Sequence, residues 1–183
     1  PALIAAMIPC AGAAAECRQA IAIVLDVSAS VDRAEYELQR NGMVAALFDP
    51  DVRAAILQMP EAPVWLTVYE WSNAASQQVI LPWTPMTDAA TLDRFAASLA
   101  AAPGTAMPPG TGVGSAIAFG LGLLGARGDC WTLTIDLAGD GRSNSGPPPA
   151  TVEALVAGRQ VTVNVLAIGL PEGKGAAPGI AEL

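Results

Sequence analysis

The chain has 183 residues, 52% of them hydrophobic, and a formal net charge of -8 at pH 7. This length suits one domain with a sizeable core, and the nine basic residues are scattered, so no basic stripe could neutralise the phosphates of a nucleic acid. The sequence contains no histidine, which excludes Ser-His-Asp and Cys-His catalytic systems and the usual zinc sites, and we therefore expect a protein that is not an enzyme.

The first fifteen residues are apolar and uncharged and end in three alanines, Ala13 to Ala15. This pattern predicts that residues 1–15 are the remnant of a secretory signal peptide, which would direct the protein to the periplasm or the cell exterior. No starting Met or basic segment precedes them, so we expect the front of the sequence to be incomplete. The alternative is an apolar helix that belongs to the fold, since fifteen residues are too few to span a bilayer.

Three patterns predict the elements that follow. Continuous apolar runs are typical of strands buried on both faces of a sheet, alternating aromatic and β-branched residues indicate an edge hairpin, and apolar residues three or four apart indicate helices. In chain order these patterns predict strand 20–25, helix 32–48, helix 51–58, hairpin strands 64–71 and 78–83, helix 88–101, helix 113–126, strand 131–137, helix 150–158 and strand 161–168.

Strands that alternate with helices predict an α/β fold. We expect an open, doubly wound, mostly parallel sheet with one antiparallel edge hairpin strand and with helices on both faces. Pro82 lies in the second hairpin strand, where a proline is tolerated only if that strand is at the edge.

Oxygen-bearing side chains follow the ends of two predicted strands and begin a later helix. Asp26, Ser28 and Ser30 come directly after the first strand, Thr111 precedes the helix at 113, and Asp140 lies in a Gly-Asp-Gly turn after the strand at 131. Ligands of open α/β sheets bind beyond the carboxyl ends of the strands, so all five side chains can converge. Such hard oxygen ligands predict Mg²⁺, with Mn²⁺ and Ca²⁺ as alternatives. Thr105 lies in the same loop as Thr111 and is the alternative ligand there.

These residues resemble the metal-ion-dependent adhesion site (MIDAS) of von Willebrand factor type A (vWA) domains: Asp-x-Ser-x-Ser after the first strand, Thr111 at a helix start and Asp140 after the central strand. The surroundings, which include Glu70-Trp71-Ser72 and Asn144, are similar to a family of exported bacterial vWA proteins of unknown function. The resemblance covers residues 17–169 and implies a Rossmann-like vWA fold.

The resemblance also implies a function and a departure from the family. The five ligands include only two carboxylates, and one or both of them can act through water. The ion would then keep much of its electrophilic character, and an acidic residue of a protein partner would complete its coordination. Full vWA domains usually carry one more strand and helix, so we expect residues 170–183, rich in Gly, Ala and Pro, to be the incomplete end of the domain.

Two of the three cysteines remain once a leader containing Cys10 is removed. Cys17 lies nine residues before Asp26 and Cys130 ten before Asp140, so in neighbouring parallel strands both fall at the end away from the metal site. An even pair in an exported protein predicts a disulfide, and two free buried thiols are the alternative.

The sequence therefore favours a metal-ion-dependent, adhesion-type protein-binding module with no membrane span in the mature chain. The main alternative is a Mg²⁺-dependent hydrolase or phosphotransfer enzyme that uses the same Asp-rich site. A third is an assembly domain in which the site is vestigial. Glu70 to Ser72 are expected to pack in the core or at its rim rather than to contact a partner, and Asp136 is expected to make a structural polar contact.

Overall fold

The computed structural model describes residues 16–139 and 142–167. The predicted leader (1–15), Asp140 and the predicted tail (170–183) lie outside these residues. The elements run in the order β1 (Cys17–Asp26), α1 (Arg33–Phe48), α2 (Pro50–Leu57), β2 (Val64–Trp71), β3 (Gln77–Pro85), α3 (Ala89–Ala100), α4 (Val113–Gly125), β4 (Cys130–Gly139), α5 (Pro149–Gly158) and β5 (Val161–Ala167).

The strands form one five-stranded sheet in the order β3-β2-β1-β4-β5. β3 runs antiparallel to β2, and the other three pairs of neighbours are parallel. The predicted open, mostly parallel sheet with one antiparallel edge strand is therefore confirmed. β1 is central, which explains its apolar run: Ala22, Ile23, Val24 and Leu25 are all buried.

Both faces of the sheet are covered by helices, as predicted. α1, α2 and α3 bury one apolar cluster against the sheet, around Leu25, Leu66 and Leu99. α4 and α5 bury another on the opposite face, around Val24 and Leu137. Helix α1 begins directly after the β1 loop. A capping box fixes its start: the Asp32 carboxylate accepts the Glu35 N–H, and the Glu35 side chain accepts the Asp32 N–H.

Pro82 lies in the edge strand β3, where the proline was expected. The β2–β3 register shifts between Leu66 and Val68, so the ladder is irregular next to the residue that has no N–H to donate. The Thr67 hydroxyl donates to the Leu81 carbonyl at 2.7 Å and restores a link between the two strands.

The disulfide predicted between Cys17 and Cys130 is present, with a Cα–Cα distance of 4.4 Å. The two cysteines are direct neighbours in the β1–β4 register, which brings their Cα atoms within bonding range. β4 is longer than the predicted 131–137 because Cys130 pairs with β1, and Ala138 and Gly139 pair with β5.

None of the helices in the described part of the chain combines the length and apolar character needed to cross a membrane.

Candidate metal centre

The loop after β1 brings three oxygen-bearing side chains into one turn. Asp26 is fully buried, and its Oδ1 accepts the N–H of Ser28 at 2.7 Å. The N–H of Val31 donates to the Ser28 carbonyl at 3.0 Å, which closes the turn. Within it, the hydroxyl oxygens of Ser28 and Ser30 lie 3.1 Å apart.

The loop before α4 is attached to the same end of the sheet. Two consecutive carbonyls at the end of β2 hold the two loops: Trp71 accepts the N–H of Val27 at 3.0 Å, and Ser72 accepts the N–H of Gly112 at 2.8 Å. A Cβ on Gly112 would stand 2.8 Å from the Asn73 carbonyl carbon, so only glycine permits this approach. Thr111, which precedes it, is 5% exposed and lies at the same rim as the β1 loop.

Residues on either side of the third predicted segment, Gly139 and Asn144, contact predicted ligands. Before it, Gly139 lies directly beside Asp26, since a Cβ on Gly139 would stand 3.2 Å from Asp26 Oδ2. After it, Asn144 pairs with the backbone of Thr111: its Oδ1 accepts the Thr111 N–H at 2.9 Å, and its own N–H donates to the Thr111 carbonyl at 2.8 Å. Gly139 and Asn144 thus each contact a predicted ligand, and the role of Asp140, which lies outside the described residues, stays a prediction.

The two threonines of the 103–112 loop have different surroundings. The N–H of Thr105 donates to Glu70 Oε2 at 2.9 Å, and the Tyr36 hydroxyl donates to Glu70 Oε1 at 2.6 Å. Burial, together with this bond to Glu70, raises the pKa of Tyr36 well above its usual range, so the hydroxyl stays a donor. Thr105 therefore belongs to a contact between α1, β2 and the loop, whereas the backbone of Thr111 is held by Asn144.

Other side chains agree with the structural roles expected of them. Glu70, Trp71 and Ser72 are fully buried, and the Ser72 hydroxyl donates to the Pro108 carbonyl at 2.7 Å, which anchors the 103–112 loop. Asp136 lies in β4 and accepts a bond from Asn164 Nδ2 at 2.7 Å.

Sequence reasoning missed Gln39, which contacts a predicted ligand directly. Its side-chain oxygen accepts the Asp26 N–H at 3.0 Å, and its side-chain nitrogen donates to the Asp26 carbonyl at 3.2 Å. A signal was present: Gln39 lies three residues after Tyr36 and four before Met43, within the apolar stripe of α1. A polar residue in such a stripe indicates a buried partner.

The two serine hydroxyls have the chemistry and the spacing of neighbouring ligands of a hard divalent cation. They form a hydrogen bond of 3.1 Å, and neighbouring oxygens of an octahedron with bonds of about 2.1 Å lie about 3.0 Å apart. Within residues 16–139 and 142–167 there is no group of three or more His, Cys, Asp or Glu side chains that could hold a metal. The predicted centre is of another kind, because hydroxyl oxygens supply most of its donors.

Comparisons with known proteins identify the fold and the family. The model of the family described as "Protein of unknown function (DUF1194)" matches residues 16–181, and a comparison with curated proteins gives no match. Among solved structures, an aerotolerance-related membrane protein from Bacteroides fragilis superposes with a TM-score of 0.60 at 18% identity, over 86% of this chain and 74% of that one.

Two further structures carry the resemblance to vWA domains. A von Willebrand factor type A protein from Catenulispora acidiphila superposes with a TM-score of 0.54 at 15% identity, over 81% of this chain and 33% of that one. Proximal thread matrix protein 1 of the mussel byssus, with a zinc-occupied MIDAS motif, gives 0.58 at 15% identity, over 85% of this chain and 37% of the mussel protein. This chain thus spans less than two fifths of the mussel protein.

The family model covers all of the described residues, and the sheet order, the helices on both faces and these superpositions agree with one another. The chain therefore belongs to the DUF1194 family and has the fold of a von Willebrand factor type A domain.

Proposed function

We propose that this chain is a metal-dependent protein-binding module. A divalent cation is held at the carboxyl edge of the sheet by Asp26, Ser28, Ser30, Thr111 and Asp140, and an acidic residue of a partner completes its coordination. The observation that carries the proposal is the meeting of the β1 loop and the Thr111 loop at consecutive carbonyls of β2, with two hydroxyls 3.1 Å apart beside a buried carboxylate.

The donor chemistry supports Mg²⁺ as the ion, with Mn²⁺ or Ca²⁺ as alternatives, since all the donors are hard oxygens. The zinc in the mussel protein's MIDAS motif supports a divalent ion at this position of the fold. Three of the five proposed donors are neutral hydroxyls, and a carboxylate that reaches the ion through a water molecule neutralises little of its charge. The ion would therefore attract an external carboxylate, and this attraction is the chemistry that it supplies when bound.

Binding is favoured over catalysis by the residues available. The whole sequence has no histidine, which removes the commonest general base at neutral pH. No Gly-rich phosphate-binding loop follows β1 in the sequence, although such a loop is usual in phosphotransfer sites on this kind of sheet. An exported, disulfide-bonded binding module is consistent with the bond between Cys17 and Cys130, because such bonds persist in oxidising compartments.

A surface for the partner adjoins the metal loop. Val27 and Val31, which flank the two serines, line a groove of about 280 Å³ together with Tyr36, Pro103 and Ala106. A partner whose carboxylate reached the ion would lie next to this groove and could bury apolar area in it.

The proposal is tested with Asp26→Asn, which removes the charge while its side-chain oxygen can still accept the Ser28 N–H. Isothermal titration should show one Mg²⁺ or Mn²⁺ site in the unsubstituted protein and no measurable binding in the variant. Capture of a protein partner from an extract of exported proteins should need the divalent ion, fail in EDTA, and fail with the variant.

Asp136→Ala is the matched control, because it removes a carboxylate from β4 that is bonded to Asn164 and that we place outside the site. It should keep both metal binding and capture. Equal metal affinity in the Asp26 variant and the unsubstituted protein would refute the proposed site.

A further inference from the structure

Helix α1 carries a buried amide on the face that packs on the sheet. Gln39 is 3% exposed, and the same face of α1 contributes Tyr36 and Leu47 to an apolar cluster. Burying an amide there is unfavourable unless both of its polar atoms are hydrogen-bonded. In Gln39 both atoms are bonded, and both bonds go to the backbone of one residue, Asp26.

The Gln39 side-chain amide makes the two hydrogen bonds to the Asp26 backbone that a neighbouring strand would make in a longer sheet. The β1–β4 register ends at the pair Val24 and Leu137, whereas the pairing of β1 with β2 continues to Asp26 and Trp71. Two residues past the end of the β4 ladder, Gln39 bonds both the N–H and the carbonyl of Asp26. The backbone of this residue is therefore held on one side by the sheet and on the other by a helix.

From this arrangement we infer that Gln39 is a positioning residue for the metal centre. The inference rests on the proposed function, because it assigns to Gln39 the task of fixing the direction in which the Asp26 carboxylate leaves the strand. Residues that orient a metal ligand in this way affect metal affinity without touching the ion. The capping box at Asp32 fixes the start of α1, so the helix holds the metal loop from both ends.

Gln39→Met tests the inference, because methionine has a similar length and neither donates to nor accepts from the Asp26 backbone as an amide does. The Mg²⁺ dissociation constant of the folded variant should rise roughly 10- to 100-fold, the range found for residues that orient metal ligands. Without metal, the Asp26 amide hydrogen should exchange faster with solvent than in the unsubstituted protein, since its acceptor is gone.

Thr67→Val is the control for a purely structural effect. Thr67 is 1% exposed, and its hydroxyl donates to the Leu81 carbonyl at 2.7 Å, so valine also removes a buried side-chain-to-backbone bond, but between β2 and β3. This variant should lose stability in urea unfolding and keep the metal affinity and the Asp26 exchange rate of the unsubstituted protein.

Gln39→Leu is the second variant, used if the methionine variant does not fold. Leucine also has neither a donor nor an acceptor for the Asp26 backbone and adds no charge, so metal binding should weaken as well. Unchanged affinity in either folded Gln39 variant, or an equal loss of affinity in Thr67→Val, would overturn the inference. Absence of metal binding in the unsubstituted protein would instead refute the proposed function on which the inference rests.

Discussion

At the scale of single residues, the backbone environment separates side chains that the sequence alone cannot tell apart. Thr105 and Thr111 lie in one loop and both precede α4. The Thr105 N–H is bonded to buried Glu70, on the side of the loop that faces α1. The Thr111 N–H and carbonyl are both bonded to Asn144, four residues after Asp140. Thr111 is therefore the better candidate for the metal ligand.

Thr111→Ala should weaken Mg²⁺ binding by at least about tenfold, because it removes one oxygen while leaving the backbone bonds to Asn144 in place. Thr105→Ala is the matched control. The bond to Glu70 uses the backbone N–H of residue 105, which alanine retains, so the Mg²⁺ affinity of this variant should equal that of the unsubstituted protein. Titration of both variants checks the assignment. A larger loss of affinity in the Thr105 variant would reverse it.

At the scale of elements, the sequence patterns predicted most of the fold. The apolar run that stops at Asp26 predicted a strand buried on both faces, and the alternation from Val64 to Trp71 predicted a hairpin strand with the bounds that the structure has. These predictions succeeded because burial on one or both faces of a strand determines which residue types it can contain. The limits of β1 and β4 were predicted less well: β1 begins at Cys17 rather than at residue 20, and β4 runs over Cys130–Gly139 rather than 131–137. Both limits depend on pairing between strands rather than on composition.

The contacts that hold the candidate site could not be predicted in the same way. The residues of the site were chosen from a pattern of oxygen-bearing side chains, which says nothing about how the loops are held. The hydrogen bonds between Gln39 and Asp26 join residues 13 positions apart in the sequence, and those between Asn144 and Thr111 join residues 33 positions apart. Such bonds depend on how α1 packs on the sheet and on how the loops meet, and both follow from tertiary structure.

At the scale of the whole molecule, the two ends of the sheet have different roles. The disulfide joins the first residues of β1 and β4, and the candidate metal centre lies beyond the last residues of the same two strands. The separation of Cys17 and Cys130 is 113 residues, so the bond restricts a large part of the unfolded chain. One end of the molecule thus contributes stability and the other presents the proposed binding surface.

The double variant Cys17→Ser with Cys130→Ser should lower the free energy of unfolding by about 5 kcal/mol in the chain-entropy model, because the unfolded chain regains the freedom that the bond removes. Urea unfolding measures this change. The folded fraction should bind Mg²⁺ with unchanged affinity, since the substitutions lie at the opposite end of β1 from Asp26. A variant as stable as the disulfide-bonded protein would contradict this account of the bond.

The central claim is that oxygen atoms from three separate segments hold one divalent cation at the carboxyl edge of the sheet. Anomalous diffraction from crystals grown with Mn²⁺ locates the ion directly. We predict a single anomalous peak. The Mn²⁺ ion at this peak should be coordinated, directly or through water, by Asp26, Ser28, Ser30, Thr111 and Asp140, and one coordination position should be open to solvent. A peak elsewhere on the molecule, or no peak at a Mn²⁺ concentration that saturates the titration, would contradict the claim.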